Sequence, residues 1–352
     1  MLKIQPLLLH LKGINMGATI KAIEYVYPNQ KISNEDLSRK FTDYDFTKFE
    51  AKVGIVSRYW VKETETAFDL AVKASEKLLK KIDKESIDYI LYCTQSPEYF
   101  LPTTACVLQD SLGLRKNIGA LDFNLGCSGY TYGISLAKGL INSKQAKNVL
   151  LVTAETYSKY LHEEDRSNRA IFGDAASATL ISHTNDNDDI GEFLFGTDGS
   201  GFDKLIVKNG CSRNPFNSNA EEIVYGSNNT YTDNNLYMNG PEIFNFTNEV
   251  IPNFTNEVLT KNNISKEDIN QFIFHQANAF MLNFLRKRIK IDKNTFFIDL
   301  KDGGNTVSNT IPIALKKYTN SSSFSAPEKI LLMGFGVGLS WCGGVININN
   351  KL

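Results

Sequence analysis

Nowhere in the 352 residues does an apolar run approach the ~20 residues that a bilayer-spanning helix needs. Leu7-Leu8-Leu9 is interrupted by His10 and Lys12, and no small-residue cleavage site follows, so the opening reads poorly as a signal peptide. Cysteine is scarce: five residues, an odd number, widely spaced and without a CxxC pair. That excludes a disulfide framework and a cysteine-based metal site, and it suits a reducing cytoplasm. No excess of either charge exists either. Lys and Arg number 38 against 39 Asp and Glu, a net charge of −1, so nothing global draws the chain to nucleic acid or to an anionic membrane surface. The run Arg286-Lys287-Arg288 reads as a solvated helix face. What is present, 42% hydrophobic and 22% charged residues, is the composition of a globular chain able to bury one large core or two medium ones.

The chain repeats itself. DKESIDYILYCT (83–94) and SKEDINQFIFHQ (265–276) align with Lys84, Glu85, Ile87 and Ile90 facing Lys266, Glu267, Ile269 and Phe272, an offset of 182 (266 − 84). NVLLVTA at Asn148 and KILLMGF at Lys329 repeat at 181 (329 − 148). A looser pair leads into Cys127 and Asn305, at 178 (305 − 127). Each copy is a polar turn before a β-rich apolar run, the pattern of a buried strand. Helical spacing of Ala67, Leu70, Ala71, Ala74 and Leu78, opened by a Thr66/Asp69 capping box, separates the strands. A second such pattern, from Ile243 to Val258, is interrupted by Pro252, which predicts a kinked or split helix. Alternating strands and helices imply an α/β sheet in each half. The expected divisions are an N-terminal extension 1–15, a first half 16–185, a connecting segment 186–232 and a second half 233–352.

Cys127 sits in LDFNLGCSGYTYG, between a strand-like and a helix-like stretch. A cysteine at a helix N-terminus meets unpaired N–H groups and the positive end of the dipole, which predicts a stabilised thiolate and a backbone oxyanion site. Gly126, Gly129 and Gly133 predict close approach of other backbone. Cys93, Cys106, Cys211 and Cys342 lack this setting and read as structural. His275, one of four histidines, ends the strand run Gln271–Phe274, and ends of parallel strands are where α/β sheets bind ligands. Asn305 follows Gly303-Gly304, a pair that permits an unusual backbone. If the halves are related by a pseudo-two-fold, the duplication brings Cys127 and Asn305 to matching positions beside His275.

Beyond these residues, the chain resembles the 3-oxoacyl-ACP synthase III family of the thiolase superfamily. The resemblance runs from about Met16 onward, through GIVSR at Gly54, PEYFLPTTAC at Pro97, GCSGY around Cys127, DRSNRAIFGDAAS at Asp165, MNGPEIF at Met238, HQAN at His275, GGNTVSNTIP at Gly303 and GFGVGLSW at Gly334. It implies the duplicated five-layer α/β/α/β/α sandwich and a catalytic set of Cys127, His275 and Asn305. It also implies an oxyanion hole from the backbone N–H groups of Cys127 and Val337, where Val337 replaces the usual glycine. Arg166, Gly240, Phe244 and Asn278 would line the CoA or pantetheine entrance, with no metal or other cofactor. The substrates would be acyl-CoA (or acyl-ACP) and malonyl-ACP. The family is typically homodimeric, the segment around Leu101 reaching into the neighbouring subunit's pocket. Three departures bear on the substrate. Phe280 replaces the arginine of HQANxR, no tryptophan stands near Lys48–Phe49 to stack on adenine, and Leu101 stands where a bulky Phe often limits the primer tunnel.

Other readings of the same residues stay open at this stage. The spacing of 148 (275 − 127) falls near that of papain-like proteases, roughly 130–150, but a C-G-S-C-W-type motif is missing and the repeat would be unexplained. A true thiolase would use a second cysteine, and Cys342 is its one candidate. A specialised ketosynthase for surface-polysaccharide or secondary-metabolite synthesis, or a non-catalytic partner subunit of a ketosynthase, would share the fold.

Overall fold

The computed structural model describes residues 17–186, 188–226 and 228–352, so the expected extension 1–15 lies outside the described residues. Nine strands build two sheets: β1 (Gly17–Val26), β2 (Tyr89–Cys93), β3 (Gly119–Phe123), β4 (Asn148–Glu155), β5 (Ala175–Thr184), β6 (Ile190–Thr197), β7 (Gln271–Phe274), β8 (Glu328–Gly336) and β9 (Ser340–Ile348). The first sheet runs β1-β5-β4-β2-β3 and the second β6-β9-β8-β7. In both, the first two pairings are antiparallel and the next is parallel. The first sheet closes with the parallel pair β2–β3, and in the second a single parallel bridge, Phe272 to Phe296, occupies that place. Even the polar turns match, since Lys84–Ser86 and Lys266–Asp268 are both one-turn 3₁₀ segments before β2 and β7. The sequence repeat is therefore a repeat of topology.

Strand side chains alternate between two cores. Leu91, Val149, Leu151 and Ile181 of the first sheet and Ile273, Ile330, Leu332 and Ile346 of the second point into one shared cluster. Ile90, Tyr92, Leu150 and Val152 point the other way, against α1 (Ala67–Leu79). Burial on both faces is why these strands read as continuous apolar runs. Two helices, α2 (Gly129–Asn142) and α5 (Thr310–Ser321), contact both sheets and form the middle layer. On the outer face of the second sheet lies α3 (Gly240–Lys261), with α4 (Ala279–Ile289) packed against it. The result is the five-layer α/β/α/β/α sandwich. Each middle helix starts just after Cys127 or Asn305, which sets both residues at the same internal level. The Thr66/Asp69 capping box is formed as the pattern predicts.

Two local features differ from the sequence reading. Within 186–232, β6 is not a connection but the edge strand of the second sheet, whose alternating burial is weaker than that of the central strands. Pro252 does not split its helix: α3 runs unbroken for 22 residues. Proline removes one helical N–H, yet the buried face of Ile243, Phe246, Ile251, Phe254 and Val258 holds the helix on its sheet.

Candidate active site

Cys127 follows β3 and directly precedes Ser128, the N-cap of α2. Its side chain is buried, and the end of β8, leading into the β8–β9 turn, presses on it so closely that a Cβ at Gly336 would come within 2.7 Å of Sγ. Only glycine fits there. The same turn directs the Val337 N–H at the sulfur, and the Cys127 N–H assists. Against the expectation of a stabilised thiolate, the thiol is pushed up to about 12. Loss of water around the sulfur outweighs those hydrogen bonds, and the buried Glu155 carboxyl adds to it. A helix terminus stabilises an anion modestly, whereas full burial shifts a thiol by several units. The glycines flanking Cys127 and opening α2 also differ from expectation. A Cβ at Gly126 would meet Gln95 and Val337 side chains, at Gly129 the Cys93 sulfur, and at Gly133 Leu151, so side chains rather than backbone make the close approach.

His275 is the first residue beyond β7, its N–H still paired to the Met333 carbonyl of β8 at 2.8 Å. The imidazole is fully buried, edge-on to Phe335, with Nδ1 2.7 Å from Thr310 Oγ1. Burial lowers it to about 3, opposed by a hydrogen bond to the Val307 carbonyl, so the ring is neutral.

Asn305 is held by the other half of the molecule. Its N–H donates to the Ile171 carbonyl (2.9 Å) and its carbonyl accepts from the Gly173 N–H (3.0 Å). Gly304 makes this possible: its φ is +67°, and a Cβ would meet the Ile171 oxygen at 2.7 Å. The Val307 N–H donates to Asn305 Oδ1 at 2.9 Å, an orientation that leaves the amide nitrogen as the free donor.

Cys127, His275 and Asn305 line one cavity of about 140 Å³, with Gly240 and Asn278 at its wall. Ile171, Phe172, Leu205, Met238 and Met281 make most of the rest apolar. Asn278 also caps α4, accepting from the Met281 N–H at 2.8 Å. The other residues expected at the entrance are not among those lining this cavity. Arg166 pairs with Asp43 at 2.7 Å and stacks over Tyr44 at 4.9 Å. Phe244 packs on Phe280 and Phe284, with Lys52 over the exposed Phe280 ring at 5.1 Å. Leu101 is 83% exposed. Among the described residues no group of three or more His, Cys, Asp or Glu gathers as a metal site.

Glu155 was invisible as a single acidic letter ending the run NVLLVTAE. It is fully buried and accepts from the Gln95 N–H (3.0 Å) and the Ser308 hydroxyl (2.8 Å), tying β4 to the segment that carries Asn305. Burial raises its carboxyl to about 8 from an ordinary 4.5. Folding thus favours the protonated form. That contribution is fully present below pH 4.5 and fades as pH rises through 8. Between pH 5 and 8.5 the melting temperature of the wild type is expected to fall more steeply than that of Glu155→Gln, by several degrees on the order of 2–4 °C per kcal/mol. Parallel melting curves for the two proteins would refute a neutral Glu155.

Known proteins resemble this chain in sequence and fold. Residues 121–199 match the sequence model described as 3-Oxoacyl-[acyl-carrier-protein (ACP)] synthase III, and residues 259–348 match its C-terminal counterpart. A Beta-ketoacyl-[acyl-carrier-protein] synthase III of Clostridium perfringens is 36% identical over 323 residues, covering 91% of this chain and 96% of that one. A crystal structure of a 3-oxoacyl-(acyl-carrier-protein) synthase III superposes with a TM-score of 0.92 at 43% identity, over 94% of this chain and all of the other. The 3-oxoacyl-(acyl-carrier protein) synthase of Burkholderia xenovorans follows at TM-score 0.87 and 31% identity, over 95% of each chain.

Proposed function

The chain belongs to the 3-oxoacyl-[acyl-carrier-protein] synthase III family, and from that premise we propose that Cys127 carries the acyl group while His275 and Asn305 serve the decarboxylation. It is a condensing acyltransferase: an acyl thioester primes the enzyme, and decarboxylative Claisen condensation with malonyl-ACP gives 3-oxoacyl-ACP. The observation that carries the residue assignment is the shared cavity, mostly apolar in its lining, which Cys127, His275 and Asn305 enter together.

In the first step Cys127 Sγ attacks the thioester carbonyl. The developing oxyanion is held by the N–H groups of Cys127 and Val337, which lie against the sulfur in the empty site. The S–H proton leaves with the departing thiol, so acyl-S-CoA and Cys-SH become acyl-S-Cys127 and CoA-SH. A thiol held near pKa 12 stays protonated in the empty pocket, which couples ionisation to arrival of substrate. In the second step the malonyl carboxylate leaves as CO₂ and its bonding electrons pass to the thioester oxygen as an enolate. N–H donors of His275 and Asn305 meet that oxygen. The enolate carbon then attacks the acyl carbonyl, and Cys127 leaves as thiolate and recovers a proton from solvent. A neutral imidazole suits this role, because it donates without adding charge. Beyond the two thioesters the chemistry calls for no cofactor.

A homodimer in the cytoplasm fits the remaining surface. The β3 edge is unpaired by the other strands, Leu121 on it is 45% exposed, and Phe100 and Leu101 beside it are each 83% exposed. Asp122 of β3 fixes that neighbourhood by accepting from the N–H groups of Thr104 and Ala105. An open edge flanked by apolar side chains is a surface that a second copy would cover. All five cysteines are free thiols, which suits a reducing compartment, and no described helix is long and apolar enough to cross a membrane.

If Leu101 caps the neighbour's acyl pocket, Leu101→Phe shortens the longest acyl-CoA that labels Cys127. A drop of roughly tenfold or more is expected for chains near the limit, the scale of one or two misfitted methylenes. Intact-mass labelling across a chain-length series checks this, and an unchanged series would place Leu101 outside the pocket.

A further inference from the structure

The proton on the His275 ring has a gatekeeper. Thr310, the first residue of α5, is buried with 4% exposure, and its Oγ1 lies 2.7 Å from His275 Nδ1 and 3.1 Å from the Val307 carbonyl oxygen. The Val307 carbonyl is itself within hydrogen-bonding reach of the imidazole and favours a proton there. One hydroxyl hydrogen thus faces two acceptors, and its choice decides the tautomer. If it goes to Val307, Nδ1 carries the ring proton and Nε2, the nitrogen left for the cavity, presents a lone pair. If it goes to Nδ1, Nε2 carries the proton and becomes a donor.

Resting on the role given above to His275, which needs an N–H at the enolate oxygen, we propose that Thr310 is a positioning residue that fixes the imidazole as the Nε2–H tautomer. Its hydroxyl donates to Nδ1 and holds that nitrogen free of a proton against the pull of the Val307 carbonyl. The backbone at Val307 supplies the competing acceptor for the Thr310 hydroxyl. Its φ is +57°, a left-handed conformation that a β-branched residue adopts only under constraint. That conformation sends the Val307 N–H to Asn305 Oδ1 and leaves its carbonyl as an acceptor for the Thr310 hydroxyl. A single strained residue therefore orients both groups: it turns the Asn305 amide nitrogen outward, and it supplies the competing acceptor that makes Thr310 necessary. Valine in place of Thr310 keeps the shape and removes the hydroxyl. Nδ1 then loses the hydroxyl that donates to it, while the pull of the Val307 backbone for a proton on the ring remains, and the ring proton is expected to move to Nδ1.

¹⁵N NMR of histidine-labelled protein reads the tautomer directly, with His275→Ala assigning the signal. The wild type and Thr310→Ser are expected to show Nε2–H, and Thr310→Val to show Nδ1–H. In the same variants Cys127 acylation by acyl-CoA stays within a few-fold of wild type. CO₂ release from malonyl-ACP falls in Thr310→Val by on the order of 10²–10⁴, the scale seen when a catalytic histidine is held in the wrong tautomer, and returns in Thr310→Ser. A wild-type ring found as Nδ1–H overturns the proposal without any variant, and so does a Thr310→Val enzyme that decarboxylates normally. Failure of the parent reading looks different: there, His275→Ala itself releases CO₂ at the wild-type rate.

Discussion

Incubated with acyl-CoA, the wild-type protein is expected to gain one acyl mass per chain, and Cys127→Ser to gain none while losing at least ~10³-fold in condensation. The substitution is close to isosteric, so the fold has little reason to change. It separates two accounts of the same buried sulfur. If Cys127 were only a small apolar filler, as most free buried cysteines are, serine would lower stability slightly and leave turnover alone. The surroundings argue otherwise. Gly336 is pressed against the sulfur, Val337 gives it an N–H, and the cavity opens on it beside His275 and Asn305. A generic alkylating reagent would not make the distinction, because Cys106 and Cys211 are exposed and Cys127 is not. The acyl-CoA itself selects the sulfur that lies in a thioester pocket, and peptide mapping of the adduct identifies it. No adduct with any acyl-CoA or acyl-ACP would point to a partner subunit that holds carriers without chemistry.

The residues of this site differ in how openly the sequence displays them, and the difference has physical causes. His275 was legible because a strand that must be apolar on both faces ends in a polar residue. Asn305 was legible because a Gly-Gly pair announces a backbone that other residues resist, and because its distance from Cys127 repeats the offset of the strands. Both are consequences of local chain geometry, which sequence records. Glu155 and Thr310 were not legible. Each acts through contacts more than 30 residues away, Glu155 on Ser308 and Thr310 on His275, and neither belongs to a pattern of its own. The ionisation state of Cys127 failed for another reason. The helix terminus that favours a thiolate can be seen from sequence, but the packing that dehydrates the sulfur exists only in the assembled halves, and it is the larger effect. The edge strand Ile190–Thr197 was hidden in a polar stretch because edges alternate where centres do not.

On the proposed roles, substitutions at His275 and Asn305 are expected to separate the two halves of the reaction. Both His275→Ala and Asn305→Ala are expected to acylate Cys127 within several-fold of wild type, since neither supplies the oxyanion N–H groups for that step. Each should reduce CO₂ release from malonyl-ACP by on the order of 10²–10³, the effect of losing one preorganised donor from an anion site. Alanine at position 305 also strands the buried Val307 N–H, at about 1–3 kcal/mol of stability, so the cleaner substitution is Asn305→Asp. Aspartate keeps an oxygen for Val307 and replaces the outward-facing donor by an acceptor. If Asn305 serves only to hold the segment together, Asn305→Asp restores activity relative to alanine. If it donates to the enolate, Asn305→Asp is at least as poor as alanine, because a carboxylate facing a developing negative charge repels it. Survival of decarboxylation in both the His275 and Asn305 variants would remove them from the chemistry and leave Cys127 to be explained by acyl transfer alone.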